Sequence, residues 1–138
     1  MLTPNTHLAI DPTLSGKLTA LSSDHAKVLF HTTRQMAADA QGLVHGGFLF
    51  SAADYAAMCA VNDPYVVLGA ASTKFIAPVR VGDAVLFEAT VIKTKGKKRK
   101  VSVVGSVEGV KVFEGSFTAF VLDGHVFEVH TVASDDKG

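Results

Sequence analysis

Residues 42–62 read GLVHGGFLFSAADYAAMCAVN, and this stretch decides the fold. Leu49 and five alanines recur at spacings of three and four, which gives one apolar stripe along a helix. The helix is predicted over 46–62, because Asn62 and the Asp-Pro pair that ends at Pro64 interrupt it. Since the stripe is mostly alanine, a second layer can approach the helix backbone closely.

The residues on both sides of this helix alternate between polar and apolar side chains, as strands do. One long helix with these strands is an α+β arrangement, and we expect the helix to pack on one face of a meander of four consecutive antiparallel strands. The chain is predicted to be a single domain over 1–138, with an irregular N-terminal arm over 1–15 and a polar tail over 131–138. The strands are predicted at 17–21 and 27–33 before the helix, and at 65–76, 83–95, 99–107 and 111–121 after it.

Length and charge narrow the class of protein. The chain has 138 residues, 48% of them hydrophobic, which suits one compact domain. Thirteen basic residues balance thirteen acidic ones, so no overall field favours nucleic acid or an anionic membrane surface. No apolar run reaches the roughly 18 to 20 residues of a membrane span, and the first twelve residues lack a secretory pattern, so we expect a cytoplasmic protein.

Metal and disulfide chemistry are disfavoured. Cys59 is the one cysteine, which excludes an internal disulfide and a cysteine-based zinc cluster within one chain. The histidines show no metal-ligand spacing, so no metal site is predicted.

The helix carries a short motif. His45, Gly46 and Gly47 are followed by Asp54, nine residues after the histidine, and this resembles the HGG signature of phenylacetyl-CoA-type hotdog-fold thioesterases. The run KFIAPVRVGD at 74–83 is similar to the family's crossing between two strands, and the resemblance extends over roughly 27–121. It implies a hotdog fold, one long central helix wrapped by an antiparallel sheet. It also implies an acyl-CoA thioester hydrolase of fatty acid metabolism that needs no cofactor beyond the coenzyme A moiety of its substrate.

The glycines also have a physical interpretation that is independent of the family. They lie at the helix start, where the first amides lack intrahelical partners and the helix dipole is positive. The Gly46 amide can therefore polarise a thioester carbonyl. The alternative is that glycine is needed here only for close packing against a strand.

Asp54 is the strongest catalytic candidate. On a helix it shares a face with Phe50, Met58 and Val61, so its carboxylate lies among apolar side chains, where desolvation raises its pKa and makes it a better base. The alternative is that this face points to water and Asp54 is solvated. The sequence leaves open whether Asp54 activates water or attacks the carbonyl itself.

The spacing within the motif predicts an assembly. Gly46 and Asp54 are eight residues apart, about 12 Å along a helix, so one thioester carbonyl cannot contact both in one chain. We therefore expect two chains with antiparallel helices to share each site, in a homodimer or a dimer of dimers. The resemblance agrees with this arrangement.

Further residues are weaker candidates. Many relatives have asparagine six residues before the motif histidine, and this chain has Asp39 there. His45 is expected to orient the turn rather than to catalyse. The remaining substrate-binding candidates are Gly47, Phe50, Met58, Val61, Ser72 and, for the phosphates of coenzyme A, Lys98 and Arg99. A solvent-facing strand serine and a solvated lysine hairpin are the plain alternatives for the last three.

A second function from another class stays open. Hotdog domains similar to this one also serve as non-catalytic modules that bind or sense acyl-CoA, and Asp39 keeps that alternative alive. The dehydratase branch of the fold is disfavoured, because no separate histidine and acid motif is present.

Overall fold

The computed structural model describes residues 1–129, and the predicted polar tail at 131–138 lies outside them. The predicted long helix and six strands are confirmed, with ends that differ by no more than two residues. The helices are α1 (Pro12–Ser15), α2 (Gly46–Val61) and α3 (Val126–Val129), with one turn of 3₁₀ helix at Arg34–Met36. The strands are β1 (Lys17–Ser22), β2 (His25–His31), β3 (Val66–Phe75), β4 (Ala84–Lys95), β5 (Lys98–Val107) and β6 (Val110–Val121).

Helix α2 forms the centre of the core. His45 is its N-cap residue, and Asn62 ends it in the left-handed conformation at φ 55°, with the Asn62 amide donating to the Met58 carbonyl at 2.9 Å. The alanines of its stripe are fully buried against β2, β4 and β5. Small side chains let the curved sheet approach the helix, as the sequence predicted. No helix among residues 1–129 has the length and apolar character that crossing a membrane requires.

The strand order corrects the predicted meander. The sheet has the order β1-β2-β4-β5-β6-β3, so β3 pairs with β6 at one edge and does not adjoin β4. The segment 76–83 joins β3 to β4 and crosses three strand spacings, about 14 Å, which is too far for a hairpin turn but within reach of eight residues. The meander is therefore limited to β4, β5 and β6, and β3 keeps an open edge.

The N-terminal arm has no helix or strand over 1–11, but residues 12–15 form helix α1, which corrects this end of the predicted irregular arm over 1–15. Asp11 caps the one-turn helix α1 by accepting from the Thr13 amide at 2.9 Å, and Pro12 fits the first helical position. The Ser15 and Ser51 hydroxyls lie 2.7 Å apart, which joins α1 to α2. A single turn is too short to produce a period in the sequence.

The sheet has two unlike faces. Along β5, Val101 and Val103 are fully buried on the inner face, which covers α2. Lys100 and Ser102 alternate with them and face outward. The face that carries Lys100 and Ser102 is the outer face of the sheet.

Candidate active site

The start of α2 presents backbone amides. Gly46 and Gly47 occupy the first turn, so their amides have no intrahelical acceptor. The backbone of His45 fixes the turn, because its amide donates to the Met36 carbonyl at 2.8 Å and its carbonyl accepts from the Phe48 amide at 3.1 Å. The His45 ring makes no capping hydrogen bond and packs edge-on to the Phe48 ring. The orienting role expected of His45 stays a prediction, because these hydrogen bonds involve its backbone only.

Phe75 covers the helix start and was missed by the sequence analysis. A Cβ atom on Gly46 would lie 3.0 Å from the Phe75 ring, so the glycine lets that ring approach. The ring also packs edge-on to Phe113 at 5.3 Å between centroids. Phe75 lies inside the 74–83 run that carried the family resemblance, which was the available signal. Both the packing and the functional interpretation of Gly46 are consistent with this contact.

Asp54 lies at the middle of the same helix in an apolar environment. Its Oδ1 atom is the one buried side-chain oxygen or nitrogen within residues 1–129 that has no hydrogen-bond partner. Desolvation by burial raises the pKa of Asp54 to about 6, as the sequence predicted. A carboxylate with this pKa is ionised at neutral pH and is a stronger base than a solvated aspartate.

The apolar candidates near Asp54 differ in accessibility. Phe50 is half-buried, with its ring 5.5 Å from the Phe117 ring of β6, and Val61 is also half-buried. Met58 is fully buried within the chain. Phe50 and Val61 can therefore contact a ligand directly, whereas Met58 can do so only if the core repacks.

Asp39 shapes the loop that leads to the helix. Its Oδ1 atom accepts from the amides of Gln41 at 3.0 Å and Leu43 at 3.2 Å. Gly42 in the same loop has φ 84°, a conformation that favours glycine. One carboxylate oxygen of Asp39 is thus engaged in holding the loop, and this role was not foreseen.

Ser72, Lys98 and Arg99 do not gather around the helix start. Ser72 of β3 pairs with Ser116 of β6. It lies on the outer face, because a bulge between Leu68 and Ala70 shifts the register of β3. Lys98 is on the outer face, and Arg99 is on the inner face. The Arg99 guanidinium donates to the carbonyls of Gly96 and Lys98. Neighbouring strand residues point to opposite faces, so Lys98 and Arg99 do not form one phosphate clamp.

Metal-ligating side chains do not cluster in the described part of the chain: no group of three or more His, Cys, Asp or Glu is suitably placed to hold an ion. Cys59 is buried and reduced. Burial also raises the pKa of Cys59, to about 11, so its thiol stays protonated at neutral pH.

Comparison with protein families identifies the family of the chain. A family model described as the thioesterase superfamily matches residues 41–113, which include the helix start, Asp54 and Phe75. The chain belongs to the thioesterase superfamily. The matched range also includes Phe113, against which Phe75 packs.

Two named relatives of this thioesterase-superfamily chain are longer proteins. It is 53% identical over 119 residues to a protein of Aquifex aeolicus named methylthioribose-1-phosphate isomerase, matching 86% of this chain and 26% of that protein. It is 32% identical over 95 residues to the transcription factor FapR of Caldanaerobacter subterraneus, matching 69% of this chain and 48% of that protein. The chain therefore spans about a quarter and about half of these relatives.

Solved structures confirm the hotdog fold. An uncharacterized protein of Pyrococcus horikoshii, PH1136, is 44% identical with a TM-score of 0.90, over 91% of this chain and 97% of that one. The PaaI protein of the E. coli phenylacetic acid degradation operon is 24% identical with a TM-score of 0.72, over 78% and 83%. A hypothetical thioesterase of Streptococcus pneumoniae, solved with coenzyme A, is 17% identical with a TM-score of 0.72, over 79% and 87%.

Proposed function

We propose that this protein hydrolyses acyl-CoA thioesters at a site shared between two copies of the chain. The observation that carries the proposal is the buried, unpartnered Oδ1 of Asp54, on the same helix as the open amide of Gly46. A buried polar atom without a partner costs about 1–3 kcal/mol, so it calls for a ligand or a second chain. The coenzyme A bound to the S. pneumoniae relative supports the substrate class.

The open edge of β3 supports the sharing. Val66 and Phe75 are the two ends of this ten-residue strand, and Phe75 covers Gly46. If β3 pairs antiparallel with its copy along its whole length, the twofold axis lies between Ala70 and Ala71. The Phe75 end of one copy then adjoins the Val66 end of the other. This brings the Gly46 of one copy toward the helix of the second copy, which carries Asp54. One site can then contain both groups, although about 12 Å separates them within one chain.

Asp54 and the Gly46 amide have different roles in the proposed reaction. Ionised Asp54 accepts a proton from a water molecule that attacks the thioester carbonyl, or it attacks that carbonyl itself to form an anhydride, which water then hydrolyses to release the acid and restore the carboxylate. The Gly46 amide donates to the developing oxyanion, and the coenzyme A thiolate leaves and takes up a proton. Phe50 and Val61 contact the acyl group, and Gly47 shapes the approach to the amide. No separate cofactor enters this scheme, and a role in fatty acid metabolism in the cytoplasm stays a prediction.

The phosphates of coenzyme A belong to a separate part of the proposal. Lys98 and Arg99 lie on opposite faces of β5. In this scheme the two side chains contact different phosphates, and Ser72, on the outer face, has no role at the thioester. These assignments do not affect the roles of Asp54 and Gly46.

The direct test is thiol release from acyl-CoAs of differing length and aromaticity, with Asp54→Asn measured beside the natural chain. We expect turnover to fall by at least about a hundredfold while acyl-CoA binding is kept, because the amide isostere cannot accept the proton. Asp24→Asn is the matched control, since Asp24 occupies a turn at φ 61°, a conformation that asparagine adopts readily. Unchanged turnover in Asp54→Asn would remove Asp54 from the mechanism.

A non-catalytic acyl-CoA binding module is the second candidate. It is favoured by the similarity to FapR transcription factors and by Asp39, whose Oδ1 is occupied by two backbone amides. The same assay distinguishes the two functions. Tight binding of acyl-CoA without thiol release by the natural chain is the result that this candidate predicts.

A further inference from the structure

The outer face of the sheet is strongly basic although the chain as a whole is neutral. Strand register places eight of the ten lysines there, against two of the thirteen acidic residues, Glu88 and Glu114. Both glutamates already have cationic or imidazole neighbours, His25 at 2.6 Å and Lys111 at 3.3 Å. The eight are Lys17, Lys27, Lys74, Lys93, Lys95, Lys98, Lys100 and Lys111. A face of one charge attracts anions and repels a second copy of itself.

A hydroxyl-lined groove runs along the middle of this face. Ser102, Ser116 and Ser72 stand opposite one another on β5, β6 and β3, so their hydroxyls form one row across three strands. The groove above this row has a volume of about 360 Å³. An apolar cavity of about 150 Å³ holds a benzene ring, so this groove has room for several phosphate-sized groups. Lys74 and Lys111 border it at one end.

The other end of the groove leads to a lysine pocket. Lys93 and Lys100 are directly opposite on β4 and β5, and with Lys95 and Lys98 they line a hollow of 150 Å³. Like charges directly opposite on a sheet destabilise it, since their Cβ atoms are about 5 Å apart. An anion between them would offset this repulsion. The Lys100 ammonium donates to Thr118, which stands next to Ser116 on the same face of β6.

We propose that the outer face is a binding site for an oligophosphate group, which spans the lysine pocket and the serine row. Lysine ammonium groups and serine hydroxyls supply hydrogen-bond donors to phosphate oxygens. Exposed aromatic rings that stack nucleic-acid bases do not accompany the lysines on the described strands of this face. The site lies on the opposite side of the sheet from α2 and does not depend on the proposed hydrolysis.

The test maps backbone amide shifts of the ¹⁵N-labelled protein at 0.1 M salt, with inorganic tripolyphosphate as the probe. We expect saturable shifts centred on Ser102 and Ser116. Lys93→Gln with Lys100→Gln should weaken binding at least tenfold. The matched control, Lys17→Gln with Lys27→Gln, removes the same charge from β1 and β2 and should change binding less than twofold.

Two further arms identify the source of the phosphate and the class of ligand. If coenzyme A produces the same shifts, the site holds phosphates of the substrate. If only tripolyphosphate and adenosine triphosphate produce them, the site holds a separate effector. Both results support the site. Equal weakening by the two double variants, or shifts that do not saturate, would overturn it by showing diffuse charge attraction. Binding of a single-stranded oligonucleotide more than tenfold tighter than tripolyphosphate would also overturn it.

Discussion

The start and the middle of α2 are unlike environments on one helix. At the start, Gly46 offers an amide without an acceptor beneath the exposed ring of Phe75. At the middle, Asp54 offers a carboxylate oxygen that is buried without a donor. Each lacks what the other provides, yet about two helical turns separate them. This contrast is the reason for our proposal that a second copy supplies what each region lacks.

Substitutions at the helix start should produce the largest effect. Gly46→Leu places a side chain where a Cβ already lies 3.0 Å from Phe75, which closes the approach to the amide. We expect kcat/KM for acyl-CoA to fall by about a hundredfold, the size of effect seen when an oxyanion donor is lost. Gly124→Leu is the control, because a Cβ there meets only Val129 at 4.0 Å, and it should cost less than twofold. Equal losses in the two variants would show a general cost of the added leucine and would remove the Gly46 amide from the mechanism.

The pH dependence of turnover should report the ionisation of Asp54, at the middle of the helix. Because burial raises the pKa of Asp54 to about 6, the base is ionised above that pH and protonated below it. The value of kcat/KM should therefore fall about tenfold for each pH unit below pH 6. A pH-rate profile on one acyl-CoA checks this. An acid limb near pH 4 instead would indicate a solvated carboxylate.

A smaller effect is expected on stability: the Asp54→Asn substitution that lowers turnover should stabilise the fold. The folded state holds the Asp54 proton more tightly than the unfolded state. The contribution of this proton to the free energy of unfolding is therefore full below pH 3.8 and is lost as the pH rises through about 6. Asp54→Asn removes this cost and should raise the free energy of unfolding at pH 8 by about 1 kcal/mol, after discounting for screening by solvent. Urea unfolding at pH 4 and pH 8 measures it. A destabilised variant at pH 8 would mean that ionised Asp54 has a partner in the assembly.

The helix and the strands could be predicted because each leaves a period in the sequence. The alanine stripe marked α2, and alternation marked all six strands within a few residues. The raised pKa of Asp54 followed from its apolar neighbours at spacings of three and four. These features depend on residues near one another in the chain, where sequence spacing and spatial distance agree.

The remaining features depend on strand pairing that no local pattern encodes. The edge position of β3 follows from its pairing with β6, whose sequence lies about forty residues away. The bulge at Leu68 and Ala70 placed Ser72 on the outer face, and a bulge has no reliable sequence signal. By contrast, alternation alone would have separated Lys98 from Arg99, because successive strand residues face opposite sides.

The most direct test of the shared site mixes two inactive variants, Asp54→Asn and Gly46→Leu, in equal amounts with verified subunit exchange. Half of the dimers would then contain one chain of each kind, and each of these would have one intact site of two. The account predicts that thiol release returns to about a quarter of the natural level. No recovery, despite confirmed exchange, would contradict it and place both groups of each site in a single chain.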